Sequence, residues 1–110
     1  MSKVITSPVK KWPGSVTISD PLNISQAMAF EDAINGAKDS GNPNFTSAAY
    51  CNLLLPGIFA CVEKWDLVGL EGITVDNFPG TPKIASASLI AWLTTEISTL
   101  YREADEIPNV

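Results

Sequence analysis

Histidine is absent from this chain, arginine occurs once, at Arg102, and only two cysteines are present, Cys51 and Cys61. Without histidine, the most frequent general base and a principal zinc ligand are both missing. No side chain is left to activate either thiol, and the cysteines read as small buried hydrophobes rather than nucleophiles. They are also too far apart to be a metal pair. On one helix, ten residues separate them by about 15 Å along the axis, well beyond the roughly 7 Å that a disulfide spans. Long apolar runs are lacking as well. Nothing approaches the roughly 18 residues that cross a bilayer, and Met1–Thr6 lacks the apolar core of a secretory signal. A reduced compartment is therefore expected, with no membrane association. Positive charge is scarce and concentrated. Lys3, Lys10 and Lys11 stand in the first nineteen residues with no acid, and the remainder holds four basic and twelve acidic residues, a balance of −8. Such a body repels phosphates, so nucleic acid is not an expected partner. The three lysines read as a solvated arm.

What is present is apolar periodicity. With 110 residues, of which 45% are hydrophobic and 17% charged, the chain has enough for one modest core. The cleanest stripe lies in the final segment, 81–104. Leu89, Ile90, Leu93, Ile97, Leu100 and Tyr101 recur there at separations of three and four, which puts them on one helical face. Thr81 is expected to cap that helix, with Pro82 at its first position. Earlier, Asn23 with Gln26 three residues on forms an amide version of the capping box, which predicts a first helix bearing Ala27, Phe30, Ile34 and Ala37. Its adjacent Glu31 and Asp32 point about 100° apart and cannot converge on one substrate atom. A loop of turn formers follows from Asp39 to Asn44. The glycosylation triplets at Asn23 and Asn44 matter only in a secreted protein.

A second helix is expected from Thr46 or Ser47, carrying Tyr50, Leu54, Ile58, Cys61, Val62 and Trp65, with a kink or break near Leu55 because of Pro56-Gly57. Asp66–Gly72 then reads as a helix C-cap and a tight connection. Ile73–Val75 fits either an extended stretch or a single turn capped by Thr74. Near the N-terminus, Ser15–Ser19 alternates as a short strand that can pair with Val4-Ile5 across Trp12-Pro13-Gly14. The expected fold is mainly α: a small helical domain of three to four helices with a short N-terminal extended segment or β-hairpin. The chain is read as a single domain over 1–110, with an arm or hairpin over 1–20, a helical core over 23–104 and a frayed acidic tail over 105–110.

No convergent polar cluster is visible, so no catalytic residue, cofactor or metal ligand is expected, and the chain reads as non-enzymatic. Its candidate functional residues are partner contacts. Trp92 stands on the flank of the final helix's stripe beside small residues Ala85, Ser88 and Thr99, an arrangement that receives either another helix of the domain or a partner. Trp65 is a second candidate. Trp12 is either a lid on the core or an exposed anchor.

Several segments together resemble the small tail-module proteins of tailed bacteriophages and prophages, most closely the tail assembly chaperones. They are Lys11-Trp12-Pro13-Gly14 running through Val16 and Ile18 to Asp20-Pro21-Leu22, Leu55-Pro56-Gly57-Ile58 running to Cys61-Val62-Glu63-Lys64-Trp65, Phe78-Pro79-Gly80, and Ala91-Trp92-Leu93. The resemblance spans most of the chain and rests on structural punctuation. It implies a mostly helical cytoplasmic protein that binds the tape measure protein and tail tube subunits during tail morphogenesis, with self-association and sometimes a longer frameshifted form. It supplies no catalytic residues. The other expected role is a minor structural or adaptor protein of the virion, or another protein-protein interaction module.

Overall fold

The computed structural model describes residues 2–41 and 47–105. The element order is β1 (Ser2–Thr6), β2 (Gly14–Ser19), α1 (Ile24–Asp39), α2 (Ala48–Cys61), β3 (Val62–Leu67), a 3-10 turn (Phe78–Gly80) and α3 (Lys83–Asp105). The three strands form one antiparallel sheet in the order β1-β2-β3. The architecture is thus α+β, three helices with a three-stranded antiparallel sheet, and not the mainly α domain of three to four helices that periodicity suggests.

The correction comes from β3. Val62 and Trp65 continue the spacing of Leu54, Ile58 and Cys61, which is why they read as helical. The helix in fact ends at Cys61, and the next residue already has extended backbone, with φ −85 and ψ 126. Val62-Glu63-Lys64-Trp65-Asp66-Leu67 contains a β-branched residue, an aromatic and three exposed charges, which suits an edge strand better than a buried helix. Pairing with β2 decides the matter: Val16 lies opposite Trp65 and Gly14 opposite Leu67. Gly69 and Gly72 accordingly follow a strand, not a helix.

The hairpin expected at the N-terminus is present, with Ile5 opposite Val16 and Val4 opposite Thr17. Its turn requires Gly14. The backbone there has φ 126, and a Cβ would sit 2.1 Å from the carbonyl oxygen of Asp66, a conformation and an approach open only to glycine. Inward-facing Ile5, Val16, Ile18 and Leu67 are all buried.

α1 and α2 begin where their caps dictate. Asn23 Oδ1 accepts from Gln26 N at 2.8 Å while Gln26 Oε1 accepts from Asn23 N at 3.0 Å, the reciprocal pair anticipated. Ser47 Oγ accepts from Tyr50 N and caps α2; Thr46, the other cap candidate, and Asn42–Asn44 lie outside the described residues. Pro56 is exposed inside α2 and does not split it into two helices. Its neighbour Gly57 explains the dipeptide. A Cβ on Gly57 would lie 2.7 Å from Ala33 Cβ and 3.0 Å from both Ala29 O and Phe30 Cα, so the missing side chain lets α1 press against α2.

Thr74 settles the open choice over Ile73–Val75. Its Oγ1 accepts from Asn77 N while Asn77 Oδ1 accepts from Thr74 N, and Phe78 N donates to Thr74 O. The segment is a capped turn. Thr81 does not cap α3 through a main-chain N–H. Its hydroxyl donates to Phe78 O at 2.7 Å and meets Ser86 Oγ, and helical bonding starts with Ser86 N on Pro82 O. On α3, Leu89, Ile90, Leu93, Ile97 and Leu100 are buried as a stripe against α2 and the sheet, each contributing about 1.5–3 kcal/mol by removal from water. The acidic tail beyond Asp105 lies outside the described residues.

Candidate functional site

α2 is the central helix. It packs against α1 on one side and α3 on the other, while α1 and α3 make little contact with each other. Between those two runs a trough of about 520 Å³ lined by Phe30, Ile34 and Lys38 of α1 and by Thr94, Ser98 and Tyr101 of α3, among others. The aromatic rings of Phe30 and Tyr101 meet with centroids 5.9 Å apart, and the Tyr101 hydroxyl donates to Glu31 Oε2 at 3.1 Å. Glu31 is thereby engaged with α3 and its neighbour Asp32 is exposed, so the adjacent carboxylates do not converge.

The hydroxyls of α3 set the character of the trough. Thr95 Oγ1 donates to Ala91 O at 3.0 Å and Thr99 Oγ1 to Thr95 O at 3.1 Å, the usual way for a helix to absorb threonine. Thr94 Oγ1 does not follow them: it is shielded from solvent and has no hydrogen-bond partner among the described residues. An unpaired buried hydroxyl costs about 1–3 kcal/mol, so the wall of the trough holds a polar group that gains from an outside donor or acceptor once a partner's docking shifts its side chain into reach. Sequence reasoning missed this surface. The available signal was the cluster Thr94, Thr95 and Ser98, three poor helix formers in mid-helix, facing Ile34 of α1.

The residues singled out from sequence fall in three places. Trp92, Ser88 and Thr99 do share one flank of α3, with Trp92 half-buried against the core and Ser88 exposed. Trp65 is not part of that flank. It stands on β3, stacked on Phe59 with ring centroids 5.1 Å apart. Trp12 is 3% exposed and belongs to the core, as a lid would; as it stands it offers no ring to a partner.

The cysteines lie on α2, and they are not joined in a disulfide. Cys61 is fully buried, its Sγ donating to Gln26 O at 3.8 Å, and burial pushes its thiol up to about 11. Cys51 borders a second groove, of about 580 Å³, with Leu55, Phe78, Thr81 and Lys83. Burial raises its thiol too, the Lys83 ammonium opposing this in part. Both thiols are protonated at neutral pH, which denies them nucleophilic character. Among the described residues no three His, Cys, Asp or Glu side chains gather as metal ligands, and no helix is long and apolar enough to cross a membrane.

Compared with protein-family models, curated proteins and solved structures, the chain matches none.

Proposed function

We propose that this chain is a non-enzymatic protein-binding module that takes a helix of a partner into the trough between α1 and α3. One observation carries the reading: the trough is lined by apolar Phe30, Ile34 and Tyr101, yet also holds a buried Thr94 hydroxyl that nothing among the described residues satisfies. An amphipathic helix laid in a groove meets both needs, burying apolar side chains and presenting a polar one. Lys38 and Arg102 on the rim favour a partner helix flanked by acidic residues.

The resemblance to tail assembly chaperones supplies the partner. In that role the chain binds helices of the tape measure protein, and tail tube subunits with it, in the host cell cytoplasm. Protonated thiols and the absence of histidine support a non-catalytic role.

Co-expression with the tape measure protein tests this, followed by affinity capture and thermal melting of each variant. The wild-type chain is expected to retain the partner, and Ile34→Asp, which puts a charge on the half-buried lining, to lose it while still melting cooperatively at a somewhat lowered temperature; Ile34→Ala, which loses the same contacts without adding a charge, controls for that loss of stability. Failure of the wild-type chain to capture the partner would overturn the reading. Retention by Ile34→Asp with loss on Trp92→Ala would move the docking surface to the Trp92 flank. Finding the chain in purified virions by mass spectrometry would replace the chaperone with a structural or adaptor component.

A further inference from the structure

The two edges of the sheet are built differently. β3 carries Glu63, Lys64 and Asp66 in six residues, and its pairing with β2 shifts register between Thr17 and Ile18; charges and a bulge are the usual protection of an edge against further pairing. β1 has no bulge, and its one charge, Lys3, points inward and is engaged by Glu96 of α3. Ser2, Val4 and Thr6 face outward, and Val4 is 66% exposed.

The backbone of β1 is also set for a partner. Ser7 N donates to Gly14 O at 2.9 Å, and antiparallel pairs alternate between bonded and non-bonded. Counting back from Ser7, Ile5 and Lys3 therefore bond to β2, and the N–H and C=O groups of Ser2, Val4 and Thr6 point out of the sheet.

The Trp92 flank of α3 lies along this same edge. Lys3 Nζ pairs with Glu96 Oε2 at 3.8 Å, and Pro8 and Val9, just past β1, share a groove with Ala85 and Ser88. β1 thus runs antiparallel to α3, and Trp92 falls between those two points of contact, on the same helical side as Ala85, Ser88, Glu96 and Thr99.

From this we infer that β1 and the Trp92 flank are one interface, and that its occupant is a second copy of this chain. Antiparallel pairing about Val4 sets Val4 against Val4, Ser2 against Thr6 and Lys3 against Ile5 of the other copy. Every outward N–H and C=O gains a partner, no like charges are opposed, and the exposed valines meet as a cross-strand pair. A two-fold axis through Val4, perpendicular to the sheet, keeps both inner faces on one side and brings the two α3 flanks together, with Ala85, Ser88 and Thr99 small enough to admit the neighbouring Trp92. Five residues of strand alone would bury less than a stable dimer needs, on the order of 1,200 Å² in total; the helix flanks supply the rest. The pairing is isologous and closes at two copies. It stands on the strand edge and is independent of the trough.

Sedimentation equilibrium of the full chain at micromolar to millimolar concentration tests it, using Val4→Pro and Trp92→Ala. Proline at Val4 removes an N–H that β2 does not use, so the hairpin survives; near-wild-type far-UV circular dichroism checks this. The wild-type chain is expected to dimerise, with Kd raised at least tenfold by Val4→Pro and severalfold by Trp92→Ala. Val4→Lys, which opposes two like charges on the axis, gives the same result by another route and salt partly restores it. A wild-type chain that stays monomeric to 1 mM, or dimers untouched by Val4→Pro and Val4→Lys, would overturn the inference.

Discussion

Two seams run along α1, and they are packed in opposite ways. Against α2 the helix is as close as backbones allow, because Gly57 has no side chain to hold Ala33 and Phe30 away, and the Cys61 thiol reaches Gln26 O on the same face one turn later. Against α3 it stands off, touching through Phe30, Glu31 and Tyr101 and leaving the trough with its unsatisfied Thr94. The closed seam has no spare group and serves stability. In the open one a buried polar atom without a partner is tolerated, which a seam selected for stability alone would have replaced by a methyl.

The largest effect should come from forcing the closed seam apart. In Gly57→Val the first added carbon already meets Ala33 Cβ at 2.7 Å and main-chain atoms of α1 at 3.0 Å, and none of these can rotate away. Overpacking of this kind costs about 3 kcal/mol or more, against a few tenths gained from replacing glycine in a helix. Urea denaturation should show the midpoint falling accordingly, and a second change, Ala33→Gly, should recover part of the loss. An unchanged midpoint would mean that α1 and α2 are no closer than α1 and α3.

The second effect is a pH dependence of the same seam. The folded chain holds the Cys61 thiol at about 11 by burial, whereas an unfolded thiol ionises near 8.5. The folded pKa is raised, so the contribution is complete below about pH 8.5 and is lost as pH climbs toward 11, by about 2.5 kcal/mol at pH 10.5. Comparing urea midpoints at pH 8 and 10.5 isolates it: Cys61→Ala should lose less stability over that interval than the wild-type chain. Equal losses would place the thiol in contact with water and open the seam.

Which of these features the sequence discloses follows from how local each one is. Capping at Asn23 and Gln26, the stripe from Leu89 to Leu100 and the N-terminal hairpin are written within a few residues of each other, and they read correctly. β3 does not, because Val62 and Trp65 fit a helical spacing as well as a strand. Only their pairing with Val16 and Ile18, more than forty residues away, separates the two. The trough is harder still. It is a gap between α1 and α3, and its existence depends on Gly57 drawing α1 toward α2, a distance that no periodicity encodes. The Trp92 flank is intermediate: its residues are readable from helical spacing, whereas its neighbour β1 appears only with the fold.

The smallest effect sharpens the contrast most, because it runs in opposite directions for stability and for binding. Thr94→Val keeps the shape of the side chain and removes the hydroxyl that has no partner among the described residues. Helix propensities of the two residues are nearly equal, so the change in stability reports on the hydroxyl alone. Relieving an unsatisfied buried group should raise stability by about 1 kcal/mol, read as a higher urea midpoint. Partner capture should weaken severalfold at the same time, since a docked helix loses the one hydrogen bond that the trough reserves for it. A fall in stability would instead show that water satisfies Thr94 in the free chain, making the trough a hydrated gap that a helix must first empty. A gain in stability with binding unchanged would place the partner elsewhere and leave the open seam as imperfect packing.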